Sequence, residues 1–154
     1  MRLTTKGRFA VTAILDVALN AGEQPVSLSA VAERQSISLS YLEQLFGKLR
    51  RSGLVDSVRG PGGGYVLARD ASEISVAHIV KAVDESLDAR QCEGRRDCLG
   101  GQECMTHELW HNLSLKMFDY LDSITLHDLI ASHRTRKAAP KATQPTQLIQ
   151  VHAV

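Results

Sequence analysis

Three cysteines and a histidine are the residues of this chain best suited to chemistry. They are Cys92, Cys98, Cys104 and His107, spaced C-x5-C-x5-C-x2-H, and they include every cysteine of the chain. The segment that holds them is polar and contains glycines but few apolar residues. A loop of this kind can fold its side chains around one inorganic centre.

Zinc and an iron-sulfur cluster are both compatible with three thiolates and an imidazole. Structural zinc sites usually contain cysteine pairs about two to four residues apart, whereas the gaps here are five residues long. The wider spacing favours a larger centre, such as a 2Fe-2S cluster, which needs four ligands. His111, one turn after His107, is the alternative fourth ligand. A helix that begins near Thr106 would direct backbone amides at an anionic cluster.

The charge of the chain is segregated although its total is only +1. Residues 1–69 hold nine Lys and Arg against five Asp and Glu, residues 70–133 hold five against twelve, and residues 134–154 hold four against none. A basic head beside an acidic middle fits a head that meets phosphates, as in a protein that binds double-stranded DNA.

Length and composition indicate one globular head with additions. The chain has 154 residues, of which 44% are hydrophobic, 23% charged and only 5% aromatic, so its core must consist mostly of aliphatic side chains, which favours helices.

The sequence has no signal peptide and no apolar run near the roughly 18 residues of a spanning helix. We therefore expect a cytoplasmic protein that does not bind membranes. A redox enzyme would need a catalytic constellation, and the sequence has none, so we expect neither an enzyme nor a small-molecule substrate.

Residues 1–70 predict a winged helix-turn-helix head. Apolar spacing predicts helices over 5–21, over 27–35 with Ser27 as its cap, and over 38–51 with Gly53 as its end. The helix-turn-helix then spans about 28–51. The runs 54–58 and 65–67 predict a hairpin wing over 54–67 with a glycine-rich tip. This tip lacks the Lys-Ser or Lys-Thr pair of a nucleotide-binding loop.

The third helix carries the side chains that reading the major groove requires. Hydroxyls and an amide near its start can bond to base edges, while Lys48, Arg50 and Arg51 can neutralise phosphates. An arginine at the wing tip can enter the minor groove. The candidate DNA-binding residues are Ser38, Ser40, Tyr41, Glu43, Gln44 and Arg59.

Glu43 admits two interpretations. Ser40 followed three residues later by Glu43 has the pattern of a capping box, which is the commoner meaning of such a pair. A carboxylate in the groove would instead repel phosphates and accept hydrogen bonds from cytosine amines, and would thus filter sequences.

Residues 71–133 predict a sensor loop over 88–107 between helices. Ser75 predicts the cap of a helix that runs through Ser86, and Thr125 predicts the cap of a last short helix. Between them, a long helix from Thr106 to about Asp122 has an apolar stripe that the small head cannot cover. A homodimer would bury this stripe and present two reading helices to DNA. The stripe consists of Leu109, Trp110, Leu113, Met117, Phe118 and Leu121. Residues 134–154 predict a disordered basic tail.

Several segments of the chain resemble the Rrf2 family of transcription regulators. They are MRLTTKGRFAVTAILDVA at 1–18, ISLSYLEQLFGKLR at 37–50, GLVDSVRGPGGGY at 53–65, AVDES at 82–86, and the cysteine and histidine pattern followed by Leu109-Trp110. The resemblance covers about residues 1–133. It implies a mainly α fold with a small β-hairpin wing, in which a winged helix-turn-helix domain precedes a long dimerisation helix.

The resemblance also implies a function. Family members of this kind are homodimers with one 2Fe-2S cluster per subunit, which Cys92, Cys98, Cys104 and His107 would hold here. They repress and activate promoters of iron-sulfur cluster assembly and related genes. Loss of the cluster changes the promoters bound, and the glutamate that matches Glu43 takes part in that choice. A DNA-binding protein that zinc stabilises, without sensing, remains the alternative.

Overall fold

The computed structural model describes residues 4–22, 24–90, 92, 95–97 and 100–138. The prediction of a mainly α fold with a small β-hairpin is confirmed. None of the helices in these ranges is long and apolar enough to cross a membrane. In chain order the elements are α1 (Thr5–Asn20), α2 (Leu28–Gln35), α3 (Leu39–Arg51), β1 (Val55–Val58), β2 (Gly64–Leu67), a short 3-10 turn (Ala71–Glu73), α4 (Val76–Ala82), α5 (His107–Ser123) and α6 (Leu126–Ala138).

Helix α1 lies at the centre of the head. Its apolar side chains Ala10, Ala13, Ile14 and Val17 are buried, and α2, α3, α4, α6 and the hairpin all pack against it. Aliphatic side chains dominate this core, as the low aromatic content predicts, with Phe46 as its largest fully buried side chain. The ring of Phe46 meets the edge of Tyr65, with 4.9 Å between centroids, and so joins α3 to the hairpin.

Serine caps and one left-handed residue set the helix-turn-helix. The Ser27 hydroxyl accepts a hydrogen bond from Ala30 N, and the Ser38 hydroxyl accepts one from Tyr41 N, so each helix begins at a satisfied cap. Ser36 has a φ of 54° and turns the chain between α2 and α3. The guanidinium of Arg69 donates to the carbonyls of Ser52 and Gly53, which places a cation at the end of α3.

The wing is a two-stranded antiparallel hairpin in which Val55 lies opposite Leu67 and Val58 opposite Gly64. The segment before α2 joins its edge, because Val26 and Tyr65 exchange two backbone hydrogen bonds. The close approach explains one glycine of the tip, since a Cβ on Gly64 would lie 2.4 Å from the Val26 carbonyl oxygen.

A buried carboxylate joins α1 to α2. Asp16 is 4% exposed and accepts hydrogen bonds from Arg34, Gln35 and Asn20. The shortest joins Arg34 Nη2 to Asp16 Oδ1 at 2.6 Å. These donors compensate the charge that Asp16 carries into the core.

Two predicted helix boundaries were wrong. Helix α4 was expected through Ser86 but ends at Ala82, because Asp84 takes a left-handed φ of 55° and Glu85 turns towards α1. Helix α6 begins at the predicted cap, where Thr125 and Asp128 bond each other reciprocally, but it continues to Ala138. Residues 134–138 of the predicted disordered tail are therefore helical. The rest of that tail, 139–154, lies outside the described residues.

Candidate functional site

One side of α3 is exposed and polar. Ser40, Glu43, Gln44 and Arg51 are all exposed, and their spacing of three, four and seven residues puts them on one side of the helix, called here the outer face of α3. The opposite side is buried through Leu42, Leu45, Phe46 and Leu49.

The structure corrects the capping interpretation of Glu43. The cap of α3 is Ser38, whereas Ser40 already lies inside the helix and Glu43 follows in its second turn. The spacing of a capping box occurs here in a helix that has started two residues earlier. Glu43 consequently presents an exposed carboxylate on the outer face of α3.

Tyr41 and Lys48 lie on one flank of α3 and contact other elements of the chain. The half-buried Tyr41 meets the edge of Phe9 in α1, with 6.1 Å between ring centroids. The ammonium of Lys48 lies 2.7 Å from Asp84 Oδ2 and lowers the pKa of that carboxyl below its ordinary value. On the other flank, Arg50 donates to the Ser57 hydroxyl of β1 at 3.0 Å.

Glu85 fixes the first turn of α1 to the end of α4. Its carboxylate accepts hydrogen bonds from the backbone amide and hydroxyl of Thr4 and from the Gly7 amide. Partial burial acts to raise the pKa of Glu85, but these hydrogen bonds outweigh it and lower the pKa. The carboxylate also lies at the N-terminus of α1, where the helix dipole favours a negative charge. Asp84 and Glu85 belong to the AVDES segment, but nothing in their spacing predicted these partners.

Arg59 lies where it was predicted, at the exposed tip of the wing directly after β1. The tip closes through a hydrogen bond from the Gly63 amide to the Gly60 carbonyl at 2.9 Å. A Cβ on Gly63 would lie 2.5 Å from the Val58 carbonyl oxygen, so this narrow turn requires glycine there.

Two of the predicted metal ligands meet in the loop between α4 and α5. Cys92 and His107 are each 3% exposed, and Cys92 Sγ lies 3.7 Å from His107 Nδ1. Among the described residues of 84–107, these two are the only buried ones. His107 is the first residue of α5, which begins after Thr106 as predicted.

Cys104 lies close to this pair along the chain. Its carbonyl accepts a hydrogen bond from His107 N at 3.0 Å, and its Sγ lies 3.7 Å from the Thr106 hydroxyl. The Trp110 indole donates to the same hydroxyl at 3.1 Å, which leaves the hydroxyl proton available to the sulfur. This link between Trp110 and Cys104 was not predicted.

Cys98, the remaining predicted ligand, lies outside the described residues. Within the ranges that the structure describes, no set of three or more His, Cys, Asp and Glu side chains is arranged to hold a metal ion.

His111, the alternative ligand, belongs to a polar cluster instead. Its Nδ1 lies 3.1 Å from a guanidinium nitrogen of Arg90, which also binds the Asp88 carboxylate. The Ser114 hydroxyl accepts a hydrogen bond from the Ala89 amide at 2.9 Å and lies 3.4 Å from Asp88 Oδ1, so the start of the loop is held against α5. The two histidines thus have different surroundings, because His107 is buried beside a thiol and His111 lies beside a cation.

Comparison with known proteins decides the family. The sequence profile of the Rrf2 family, described as "Iron-dependent Transcriptional regulator", matches residues 3–132. The chain belongs to the Rrf2 family. It is 54% identical over 147 residues to the HTH-type transcriptional regulator IscR of Pectobacterium atrosepticum, which covers 96% of this chain and 90% of that protein. The corresponding protein of Photorhabdus laumondii is 62% identical over 130 residues, 84% of this chain and 79% of its own.

Solved structures of Rrf2 regulators have the same fold. The T. potens IscR structure has a TM-score of 0.75 and 38% identity, and the match covers 91% of this chain and 93% of that one. CymR, the global cysteine regulator of B. subtilis, has a TM-score of 0.73 and 34% identity over 86% of this chain and 98% of its own. The predictions of a winged helix-turn-helix fold and of a transcription regulator rather than an enzyme are confirmed.

The Asp88 contact should be measurable through its pH dependence. The hydrogen bond from Arg90, opposed by desolvation, lowers the pKa of Asp88 to about 2 from its ordinary 3.8. Because the folded pKa is the lower one, the contact stabilises the fold above about pH 4 and is lost as the pH falls towards 2. We expect Asp88→Asn to lower the free energy of unfolding by about 1 kcal/mol at pH 7 after allowance for solvent screening.

Urea unfolding and hydrogen exchange test this expectation. The difference from the wild type should shrink to about half at pH 3, and the Ala89 and Arg90 amides should exchange faster in the variant. Asp97→Asn is the control, because Asp97 makes an exposed ion pair with Arg95 in the same loop. Equal stability of wild type and Asp88→Asn at pH 7 would contradict the assignment.

Proposed function

We propose that this Rrf2 protein is a cytoplasmic, homodimeric transcription regulator that senses iron-sulfur cluster supply through one 2Fe-2S cluster per subunit. It represses and activates promoters of cluster assembly and related genes. The observation that carries the proposal is the buried pair Cys92 and His107, with 3.7 Å between Sγ and Nδ1. Burial of only these two side chains, among the described residues of an otherwise exposed or half-buried loop, indicates that the loop closes around its ligands.

Cys92, Cys98, Cys104 and His107 would hold the cluster. Thiolates and an imidazole are the donors that 2Fe-2S clusters use, and a histidine ligand raises the reduction potential relative to four thiolates. The chain's own groups support that role. Thr106 can donate a hydrogen bond to the Cys104 sulfur, and the first turn of α5 begins at the ligand His107. When bound, the cluster would supply a redox-active and iron-dependent centre.

A continuous set of contacts leads from the ligand loop to α3. Asp88 and Ala89 are bonded to α5 through Ser114. Glu85 holds the first turn of α1, and Asp84 holds Lys48 of α3. We infer that order in the loop is transmitted to the outer face of α3 through these residues, which would give the loaded and cluster-free proteins different promoter preferences.

Protein purified without oxygen should contain two irons and two inorganic sulfides per chain. Cys92→Ser, Cys104→Ser and His107→Ala should each lose most of this content and the visible absorption. His111→Ala is the matched control for His107→Ala, since it removes an imidazole one turn later whose Nδ1 lies beside Arg90. It should keep the cluster.

Iron, sulfide and zinc analysis of each variant checks this prediction. Footprinting of the loaded and cluster-free wild type on two promoters then tests the switch. A colourless protein that contains stoichiometric zinc and no sulfide would show that the site binds structural zinc and not a sensing cluster. Identical protection by both forms would refute the switch even if the cluster is present.

We propose that the outer face of α3 enters the major groove and that Arg59 reaches the adjacent minor groove. Ser40, Glu43 and Gln44 are exposed together near the start of α3, where helix-turn-helix proteins contact base edges. Glu43 makes no capping contact that would compete with such a role. Ser38 caps α3 and lies at the end of the helix that would face the DNA. The half-buried Tyr41 would contact the DNA from the flank of the helix.

Gln44→Ala and Arg59→Ala should weaken DNA binding in different ways. Loss of the Gln44 amide should lower affinity for the selected operator by about tenfold to a hundredfold and relax the preference at one base pair. Loss of Arg59 should also reduce the slope of log affinity against log salt by about one. Lys116→Ala is the control, because it removes one exposed charge from α5.

Fluorescence anisotropy with operator and scrambled duplexes over a salt series measures both effects. Unchanged operator affinity in Gln44→Ala and Arg59→Ala would show that these residues do not contact DNA. A loss equal to that of Lys116→Ala would assign the effect to net charge alone.

Helix α5 supports the homodimer. His107 is its only buried residue among those described, while Leu109, Trp110 and Phe118 of the predicted stripe are between 39% and 59% exposed. A contiguous apolar surface of this kind on one helix is typical of an interface between protein chains. A two-fold pair of α5 helices would cover it and would set the distance between the two α3 helices.

Met117→Lys should convert the dimer to a monomer and lower operator affinity strongly, because it introduces a charge in the stripe away from the metal ligands. Asp119→Lys is the matched control, since Asp119 is exposed and lies outside the stripe. Light scattering gives the mass of each variant, and circular dichroism shows whether the helices remain. A folded Met117→Lys variant that stays dimeric would exclude this face as the interface.

A further inference from the structure

Gly47 occupies the outer face of α3 although nothing within the chain requires a glycine there. It lies three residues after Gln44 and four after Glu43, so it lines up with both on the same side of the helix. Helix α3 runs without interruption from Leu39 to Arg51, so Gly47 is in its interior. Glycine in a helix interior is unfavourable relative to alanine, because it loses more conformational freedom on folding.

Apart from Gly22, which lies outside the helices, most of the other described glycines have a structural reason that Gly47 lacks. Several take a positive φ that only glycine adopts easily, among them Gly53, Gly60 and Gly62. Gly63 and Gly64 have backbone carbonyls within 2.5 Å of the Cβ position, and Gly7 is covered by the Glu85 side chain. At Gly47 the φ is not positive, and apart from its chain neighbours and the nearby backbone of its own helix no atom lies within 4 Å of a Cβ. An alanine would therefore fit the folded chain.

We propose that Gly47 is a DNA-contacting position at which the absence of a side chain lets the backbone of α3 lie close to the groove. An α-helix with its side chains is about 10–12 Å wide and the major groove about 12 Å, so the depth of entry depends on small changes in side-chain size. Both flanks of α3 already contact the chain, through Lys48 to Asp84 and through Arg50 to Ser57. Its opposite side is buried through Leu42, Leu45, Phe46 and Leu49, so the helix cannot rotate within the chain to move an added group away.

The placement of Gly47 also affects its neighbours on the outer face of α3. Gln44 and Glu43 are shorter than arginine and reach base edges only if the backbone approaches closely. A methyl group at position 47 would hold the helix outwards and lengthen those hydrogen bonds, which weaken steeply with distance and angle. Gly47 thus determines specificity through the reach of its neighbours. This inference depends on the proposed entry of α3 into the major groove.

Gly47→Ala tests the inference. If the glycine serves contact with DNA, alanine should raise the melting temperature and lower operator affinity. If it serves packing within the chain, alanine should lower the melting temperature. We expect the melting temperature to rise by about 2–4 °C. Affinity for a duplex that the wild type selects from a random oligonucleotide pool should fall by about tenfold or more, while affinity for a scrambled duplex should change by less than about threefold. Gly47→Gln, with a longer side chain, should lower operator affinity further. Gly22→Ala is the control, because Gly22 also has nothing within 4 Å of a Cβ and lies outside the helices.

The outcomes separate cleanly. A wild type that binds its selected duplex and a Gly47→Ala variant that binds it equally well would overturn the inference and leave the proposed function intact. A lower melting temperature would assign the glycine to packing within the chain, and a changed mass in light scattering would assign it to contact between copies of the chain. A wild type that selects no duplex would overturn the inference together with the proposed DNA interface.

Discussion

Two adjacent carboxylates at the end of α4 connect the parts of this protein. Glu85 accepts hydrogen bonds from the first turn of α1, and Asp84 pairs with Lys48 of α3. Asp84 also accepts a hydrogen bond from Lys6 through its carbonyl, in the left-handed conformation that ends the helix. The chain leaves the head for the ligand loop directly after these residues. The position of the loop relative to α3 therefore depends on these polar contacts together with Val83, which the core buries directly before them.

The head and the loop differ in what holds them. The head has a core of buried aliphatic residues around α1, in which each fully buried Val, Leu or Ile side chain contributes about 1.5–3 kcal/mol. The described residues of the loop include only Cys92 and His107 as buried groups, while ion pairs such as Arg96 with Glu103 are exposed and contribute about 1 kcal/mol or less. The order of the loop can therefore change without unfolding the head.

Local patterns predicted the elements, but not the contacts between distant residues. The stripe of α1, the cap at Ser27 and the start of α5 at Thr106 follow from periodicity and from side chains that bond to their own backbone. The contact of Glu85 with Thr4 joins residues 81 positions apart, and no periodicity indicates it. The error at Glu43 has a related cause, because the spacing of a capping box says nothing about where the helix has already begun. The end of α4 was placed too late because Asp84 and Glu85 satisfy partners elsewhere, which helix propensity does not register.

The flanks of α3 limit what its outer face can do. Lys48 was expected to neutralise phosphate, but its ammonium is already paired with Asp84. Arg50 donates to an uncharged hydroxyl of the wing, so it keeps its positive charge for a second partner. Tyr41 is partly covered by Phe9. Residues that sequence alone assigned to DNA thus also attach α3 to α1, to α4 and to the wing. A shift of the end of α4 would change the ion pair between Asp84 and Lys48, which joins it to the helix that carries Ser40, Glu43 and Gln44.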